Sequence, residues 1–234
     1  MSNKNSKRAI GMKRFFRIFF SRGWVTKICF GIIAAFVFIA IFAPVLTQYT
    51  PYEQNLRYIL ANPSSEHLLG CDNIGRDTLT RLLFGARVSL ITGLLSSIWA
   101  AVVGTSIGLI AGYVGGWLNS FVMRFTDAMI AIPPIIFTMV LSTMVTGNLM
   151  GISLVIGVSI IPSYIRMVNG LVISLRENDY VTASNLIGQK QLVIMFRHLL
   201  PNCLASLIVT FTMNVGTAIM LESTLSYLGV GIIP

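Results

Sequence analysis

Five apolar stretches, each near the length a lipid bilayer demands, dominate this 234-residue sequence. They run over about 28–46, 88–113, 126–146, 149–168 and 202–221. A span needs about 20 predominantly apolar residues, because each residue of helix rises only about 1.5 Å. Charge is correspondingly scarce: 17 Lys+Arg and 8 Asp+Glu make 11% of the chain, against about 25% in an average soluble domain. A chain with so little charge cannot supply a soluble surface, which excludes an ordinary cytosolic enzyme, a disordered protein and a disulfide scaffold. The expected fold class is an all-α integral membrane protein with five transmembrane helices.

The charge is also unevenly placed. Residues 1–27 carry Lys4, Lys7, Arg8, Lys13, Arg14, Arg17, Arg22 and Lys27 and no acid. A basic tail running straight into an apolar stretch reads as a cytoplasmic anchor, in preference to a nucleic-acid-binding arm. The expected organisation is a basic cytoplasmic tail (1–27), a first transmembrane helix (28–46), an external loop (47–87) and a transmembrane core (88–234). Within the core, a cytoplasmic loop is expected at about 173–201. With the N-terminus inside, Arg124, Arg176, Lys190 and Arg197 also fall inside, while Arg76, Arg81 and Arg87 are a mild exception outside.

Catalytic chemistry is missing. The sequence has no G-x-x-x-x-G-K-[ST] and no HExxH, and its two histidines, His67 and His198, fall on opposite sides of the expected topology. Cys29, Cys71 and Cys203 form no CxxC or Cys/His cluster, so no metal centre and no cofactor are expected. Gly104, Gly108 and Gly112 recur at i, i+4, i+8, a stripe that lets another helix approach closely. Pro133-Pro134 and Pro162 are expected to kink the third and fourth spans. Asp127 reads as an interfacial i, i+3 pair with Arg124 rather than a proton or ion site. Glu222 either caps locally or faces a pathway.

The segment Arg176–Pro201 carries the sharper pattern. Asn178 or Asp179 is placed to cap a short helix over about 180–187, and Gly188 follows as a residue free to take positive φ. Leu192, Met195, Phe196 and Leu199 then fall at i, i+3, i+4, i+7. Pro201 opens the next span. This is a helix–glycine–helix elbow whose apolar face needs cover. An ordinary amphipathic connector explains the pattern equally well.

The elbow nevertheless resembles the E-A-A-x3-G-x9-I-x-L-P motif of inner-membrane permeases in binding-protein-dependent ABC importers. Here it reads Thr182-Ala183-Ser184, Gly188, His198 and Leu200-Pro201. Asp179-Tyr180-Val181, Arg197–Asn202 and Leu225–Gly231 look like the dipeptide, oligopeptide and nickel branch, as does the stretch His67–Leu90. Thr182 stands where the family has Glu, Ser184 where it has Ala, and Cys71 where it has Thr. The resemblance implies a type I permease bundle in a bacterial or archaeal cell membrane. The chain would be one permease subunit of an ATP-driven importer of peptides, nickel or metal chelates, and itself no enzyme. Implied partners are a second permease, two ATP-binding subunits, an extracytoplasmic solute-binding protein and the lipid bilayer, with no nucleic acid. It implies ATPase coupling through Asp179, Tyr180, Ala183, Ser184, Gly188, Lys190 and Pro201. It also implies external partner contact through His67, Gly70, Asp72, Gly75, Arg76 and Asp77. A sixth span is implied after Gly231, against the five expected within Pro234. That shortfall is expected of a truncated product, an incomplete sequence or a shortened permease. The alternatives from other classes are a secondary carrier or channel, a membrane scaffold, and a non-transporting permease fragment.

Overall fold

The computed structural model describes residues 23–145 and 147–232. The basic tail 1–22 therefore lies outside the described residues. Among these residues every regular element is helical apart from one isolated bridge, Cys71 to Asp77. The elements are α1 (Trp24–Leu46), α2 (Thr78–Val114), α3 (Gly116–Ala131), α4 (Pro134–Ser142), α5 (Leu149–Arg176), α6 (Asp179–Leu186) and α7 (Gln191–Tyr227). Residues up to Arg87 and residues from Val88 form two compact units, taken here in turn.

In the first unit, α1 is apolar on all sides and only Ala43 is buried. A helix of that kind suits lipid on every face. Pro44 in its last turn brings it to an end at Leu46. The following 47–77 stretch folds on itself around turns and a short 3₁₀ turn at Leu56–Tyr58.

In the second unit, α5 is the central helix. Its buried residues, among them Ile152, Ile156, Ile160, Tyr164, Val168 and Val172, recur every three to four positions. One apolar cluster joins Ile152, Ile156, Ile160 and Tyr164 to Ala100 of α2 and to Ala218, Leu221 and Leu225 of α7. The glycines of α2 set how closely α5 can come. A Cβ added at Gly104 would lie 2.6 Å from the Tyr164 Cβ, and one at Gly108 would lie 2.8 Å from the Ile165 carbonyl oxygen. At Gly112 it would meet Val172 at 3.0 Å. These are backbone-to-backbone approaches that a side chain would prevent. Asn169, buried on α5, donates to Asn119 Oδ1 of α3 at 2.6 Å.

The structure corrects several sequence expectations. The third span is not one helix over 126–146. It is α3 and α4, bent by 88° at Ile132-Pro133. Two successive prolines remove two backbone donors, and the residue before each is forced from helical into extended geometry, with Ile132 at ψ 124° and Pro133 at ψ 129°. Among the described residues four helices are long and apolar enough to cross a bilayer, and five spans result when the bent pair counts as one. The second span begins ten residues earlier than Val88, because Asp77 takes the Thr80 amide and starts the helix at Thr78. The fourth span does not stop at Val168; α5 runs on to Arg176 with Pro162 inside it. Pro201 does not open the fifth, which starts at Gln191 and passes through a π-helical turn at Ile194–Leu199. That wider turn precedes the proline, and Asn202 Nδ2 donates to the His198 carbonyl at 2.7 Å.

These close approaches predict an asymmetric mutational response along α2. Gly104→Ala should cost roughly 1–3 kcal/mol through overpacking against Tyr164. Gly85→Ala, with nothing within 4 Å of the new methyl, should be neutral or stabilising by up to about 1 kcal/mol. Denaturant titration of the purified protein in detergent checks both.

Candidate functional site

Residues 176–201 form the elbow expected from the sequence. Asn178 occupies the N-cap of α6, but its side chain makes no capping hydrogen bond, which corrects that part of the expectation. The far end is closed by the backbone alone. The Gly188 amide donates to the Asn185 carbonyl at 3.0 Å, and the Gln189 amide donates to the Ser184 carbonyl at 3.2 Å. This double closure requires a left-handed residue, and Gly188 stands at φ +74°. His198 Nε2 lies 3.2 Å from Gln189 Oε1, and Asn202 Nδ2 donates to the Tyr180 hydroxyl at 3.3 Å.

The elbow's apolar residues divide into two sets. Val181, Ile194, Met195 and Leu199 are buried with Leu109 of α2 and Val168 and Val172 of α5. Leu186, Ile187, Leu192 and Phe196 are exposed, Leu186 at 83%. The i, i+3, i+4, i+7 stripe is thus half covered by the chain itself. Of the residues expected at an ATPase contact, Asp179, Tyr180, Ala183, Gly188, Lys190 and Pro201 are exposed. Ser184 is buried and donates to the Tyr180 carbonyl at 2.8 Å. It packs the elbow and has no face for a partner. Leu186 and Ile187 were not among the residues singled out, although two adjacent apolar residues before a C-terminal glycine were a readable signal.

The elbow is fastened to α2 and α5. Arg176 Nη1 donates to the Gly112 carbonyl at 3.2 Å, and the Tyr113 hydroxyl donates to Asn185 Oδ1 at 3.1 Å. Asp127 pairs with Arg166 of α5 and not with Arg124, a further correction. One helical turn separates Arg124 from Asp127, but the α3–α5 contact places the guanidinium of Arg166 closer. Glu222 is buried and accepts from the Ser89 hydroxyl at 2.8 Å and the Ser226 hydroxyl at 2.9 Å, so it ties α7 to α2.

The stretch from His67 to Asp77 consumes its polar groups internally. His67 Nδ1 meets Asp77 Oδ1 at 2.9 Å, and both residues are buried. The imidazole is flanked by Tyr49 and Tyr58, with ring centroids at 4.8 and 4.9 Å. Burial opposes the Asp77 charge, but the Thr80 hydroxyl and amide and His67 together hold its carboxyl below the ordinary value. Asp72 accepts from Arg76 Nε at 2.8 Å and Arg81 Nη1 at 2.7 Å, and also from the Ile74 and Arg76 amides. Against partial desolvation, those bonds pull its pKa from 3.8 to about 2. Gly75 and Gly70 sit at φ +77° and +70°, where an added Cβ would lie 2.0 Å from the Asn55 carbonyl oxygen and 2.4 Å from that of Ala61 respectively. The residues expected to meet an external partner therefore hold the loop in shape. Its exposed large apolar residues are Tyr52, Leu56, Ile59, Leu60, Leu68 and Leu69.

The sequence pattern of the binding-protein-dependent transport system inner membrane component matches residues 104–234. The chain belongs to this family. Residues 12–63 also match the N-terminal transmembrane domain of oligopeptide transport permease C. The chain is 40% identical over 200 residues to a dipeptide transport system permease of Alkalihalophilus pseudofirmus, covering 86% of this chain and 66% of that one. It is 39% identical over 220 residues to a dipeptide transport system permease of Haemophilus influenzae, covering 92% and 74%. An oligopeptide transport system permease of Bacillus subtilis is 31% identical over 231 residues, covering 99% and 76%. The chain thus spans two thirds to three quarters of the length of these relatives. As a member of the ABC importer permeases it is a multi-pass membrane transport component and not an enzyme.

The low pKa of Asp72 makes a signed prediction. Its folded value lies below the ordinary one, so its contribution is full above about pH 4 and is lost as pH falls towards 2. Limited proteolysis should find residues 47–77 resistant at pH 5 and increasingly cleaved below about pH 3. Asp72→Asn should be cleaved more readily than wild type at pH 5, with the difference shrinking as pH falls towards 2.

Proposed function

We propose that this chain is a transmembrane subunit of an ATP-driven peptide importer and that the α6–Gly188 elbow is its coupling element for separate ATPase subunits. The observation that carries the coupling is the division of the elbow. One apolar side is locked into α2 and α5, while Leu186, Ile187, Leu192 and Phe196 stand exposed among the described residues. A rigid, two-point fastening to α2 is what a lever needs, because displacement at Ile187 is then transmitted to the spans and not absorbed in a loop. The positive-inside rule places this elbow and the N-terminus on the cytoplasmic side, where nucleotide is available.

Peptides are the favoured cargo, over nickel or metal chelates, because the similar proteins are named as dipeptide and oligopeptide permeases. A solute-binding protein would deliver the peptide outside, and a second permease would complete the pathway. ATP-driven approach of the ATPases would push on the exposed side of the elbow and shift the bundle between outward-open and inward-open states. Thr182, in place of the family's Glu, is exposed and bonds only its own helix, at the Asn178 carbonyl. The charge it lacks is absent from the outward face of α6, while the geometry of the turn is kept by Gly188.

Two outcomes test this reading. Gly188→Val should abolish co-purification of the ATPases with membrane insertion intact. A β-branched residue resists φ +74° although there is open space for its side chain. Gly188→Asn should retain most of the association, since Asn enters that region readily. Separately, peptide uptake by vesicles containing the whole importer should follow internal ATP. Uptake that persists without ATP under a proton gradient would assign the chain to a secondary carrier.

A further inference from the structure

A cavity of about 570 Å³ opens among α3, α4, α5 and α7. Most of its wall is apolar, with the polar side chains Ser159, Ser163, Asn214 and Thr217 on one side. Asn214 Nδ2 donates to the Ser163 hydroxyl at 3.0 Å, which joins α7 to α5 across it. Among the described residues lining it, Arg166 alone carries a charge. Its guanidinium pairs with Asp127, and both side chains remain about half exposed, at 51% and 59%.

Three features set this pair apart from a structural ion pair. Arg166 lies ten residues before the end of α5 at Arg176, about 15 Å up the helix. An ionisable side chain within a membrane-spanning helix is costly in lipid and points to a pathway. Exposure to this degree makes the pair a weak contributor to stability. The bend between α3 and α4 leaves Ile132 and Pro134 on the cavity wall with Arg166, so the guanidinium that Asp127 holds borders open volume.

We propose that Arg166 is an anchor for the C-terminal carboxylate of a peptide in passage, which displaces Asp127 from the guanidinium. This rests on the peptide-import reading above. The planar fork of Arg matches a carboxylate through two parallel hydrogen bonds. Asp127, once released, is free to receive the ammonium group of the same peptide. A zwitterionic peptide brings one charge of each sign, so the exchange leaves neither Arg166 nor Asp127 unpaired. An empty cavity keeps Arg166 neutralised, and an occupied one holds the peptide weakly enough to release it. The remaining lining offers hydroxyls, one amide and apolar surface, which do not discriminate between side chains.

The test compares trialanine with trialanine amide in the importer reconstituted with its partner permease, ATPases and binding protein, the binding protein being saturating. Arg166→Gln should slow import of trialanine about tenfold, the loss of a charged hydrogen-bonded contact, and import of the amide less than about twofold. The double variant Asp127→Arg with Arg166→Asp restores an ion pair between the same helices and should leave trialanine import slow. Equal slowing of both peptides by Arg166→Gln, or no slowing of either, would overturn the anchor. So would full recovery in the charge-swapped double variant, which is the behaviour of a structural pair. A wild-type importer that carries neither peptide would overturn the peptide reading itself, and the anchor with it.

Discussion

The close approach of α2 and α5 is the constraint on which the second unit depends. Lipid tails are as apolar as leucine, so helices in a bilayer gain little by hiding apolar surface and associate through tight packing instead. Gly104, Gly108 and Gly112 present bare backbone to Tyr164, Ile165, Val168 and Val172. With α5 held in that groove, its last residue, Arg176, reaches the carbonyl of Gly112, and the elbow that follows is positioned against α2 through Tyr113 and Asn185. The same seat on α5 turns Arg166 towards α3 and exposes its other side to the cavity.

Three polar side chains of the second unit sit at joins between helices. Asn169 ties α5 to α3, Asn214 ties α7 to α5, and Glu222 ties α7 to α2. A bilayer offers such groups no water, so each needs a partner within the protein. Arg166, paired with Asp127, differs from these joins in lining open volume, which is the physical basis for giving it a transport role. In the first unit the two charge clusters around Asp72 and Asp77 perform the work that an apolar core performs elsewhere. Residues 47–77 have few buried apolar side chains, and Cys71 is one of them.

Much of this was legible in the sequence, and the remainder was hidden for identifiable reasons. Apolar length located the spans, and the i, i+4, i+8 glycines marked the side of α2 that meets α5. The positive φ of Gly188 followed from its place after a short capped helix. The 88° bend between α3 and α4 was not legible, because hydropathy ignores direction and Pro133-Pro134 reads as a kink of any size. Helix starts were misplaced where polar residues belong to the helix, as at Thr78–Arg87 and Gln191–Leu199. The partner of Asp127 was misassigned because Arg124 is near in sequence, whereas Arg166 is near only after α3 packs on α5. The internal role of His67, Asp72 and Asp77 was invisible for the same reason: charge-rich loop residues look alike whether they bond one another or a partner.

The central claim is that the exposed side of the elbow carries the ATPase. Placing a single cysteine at Leu186, in a chain whose exposed Cys29 has been replaced, and oxidising it against cysteines scanned over the partner ATPase tests this most directly. The account predicts a disulfide-linked permease–ATPase adduct whose yield changes on ATP binding. Absence of any adduct from Leu186, with the assembled importer still hydrolysing ATP in step with peptide uptake, would contradict it.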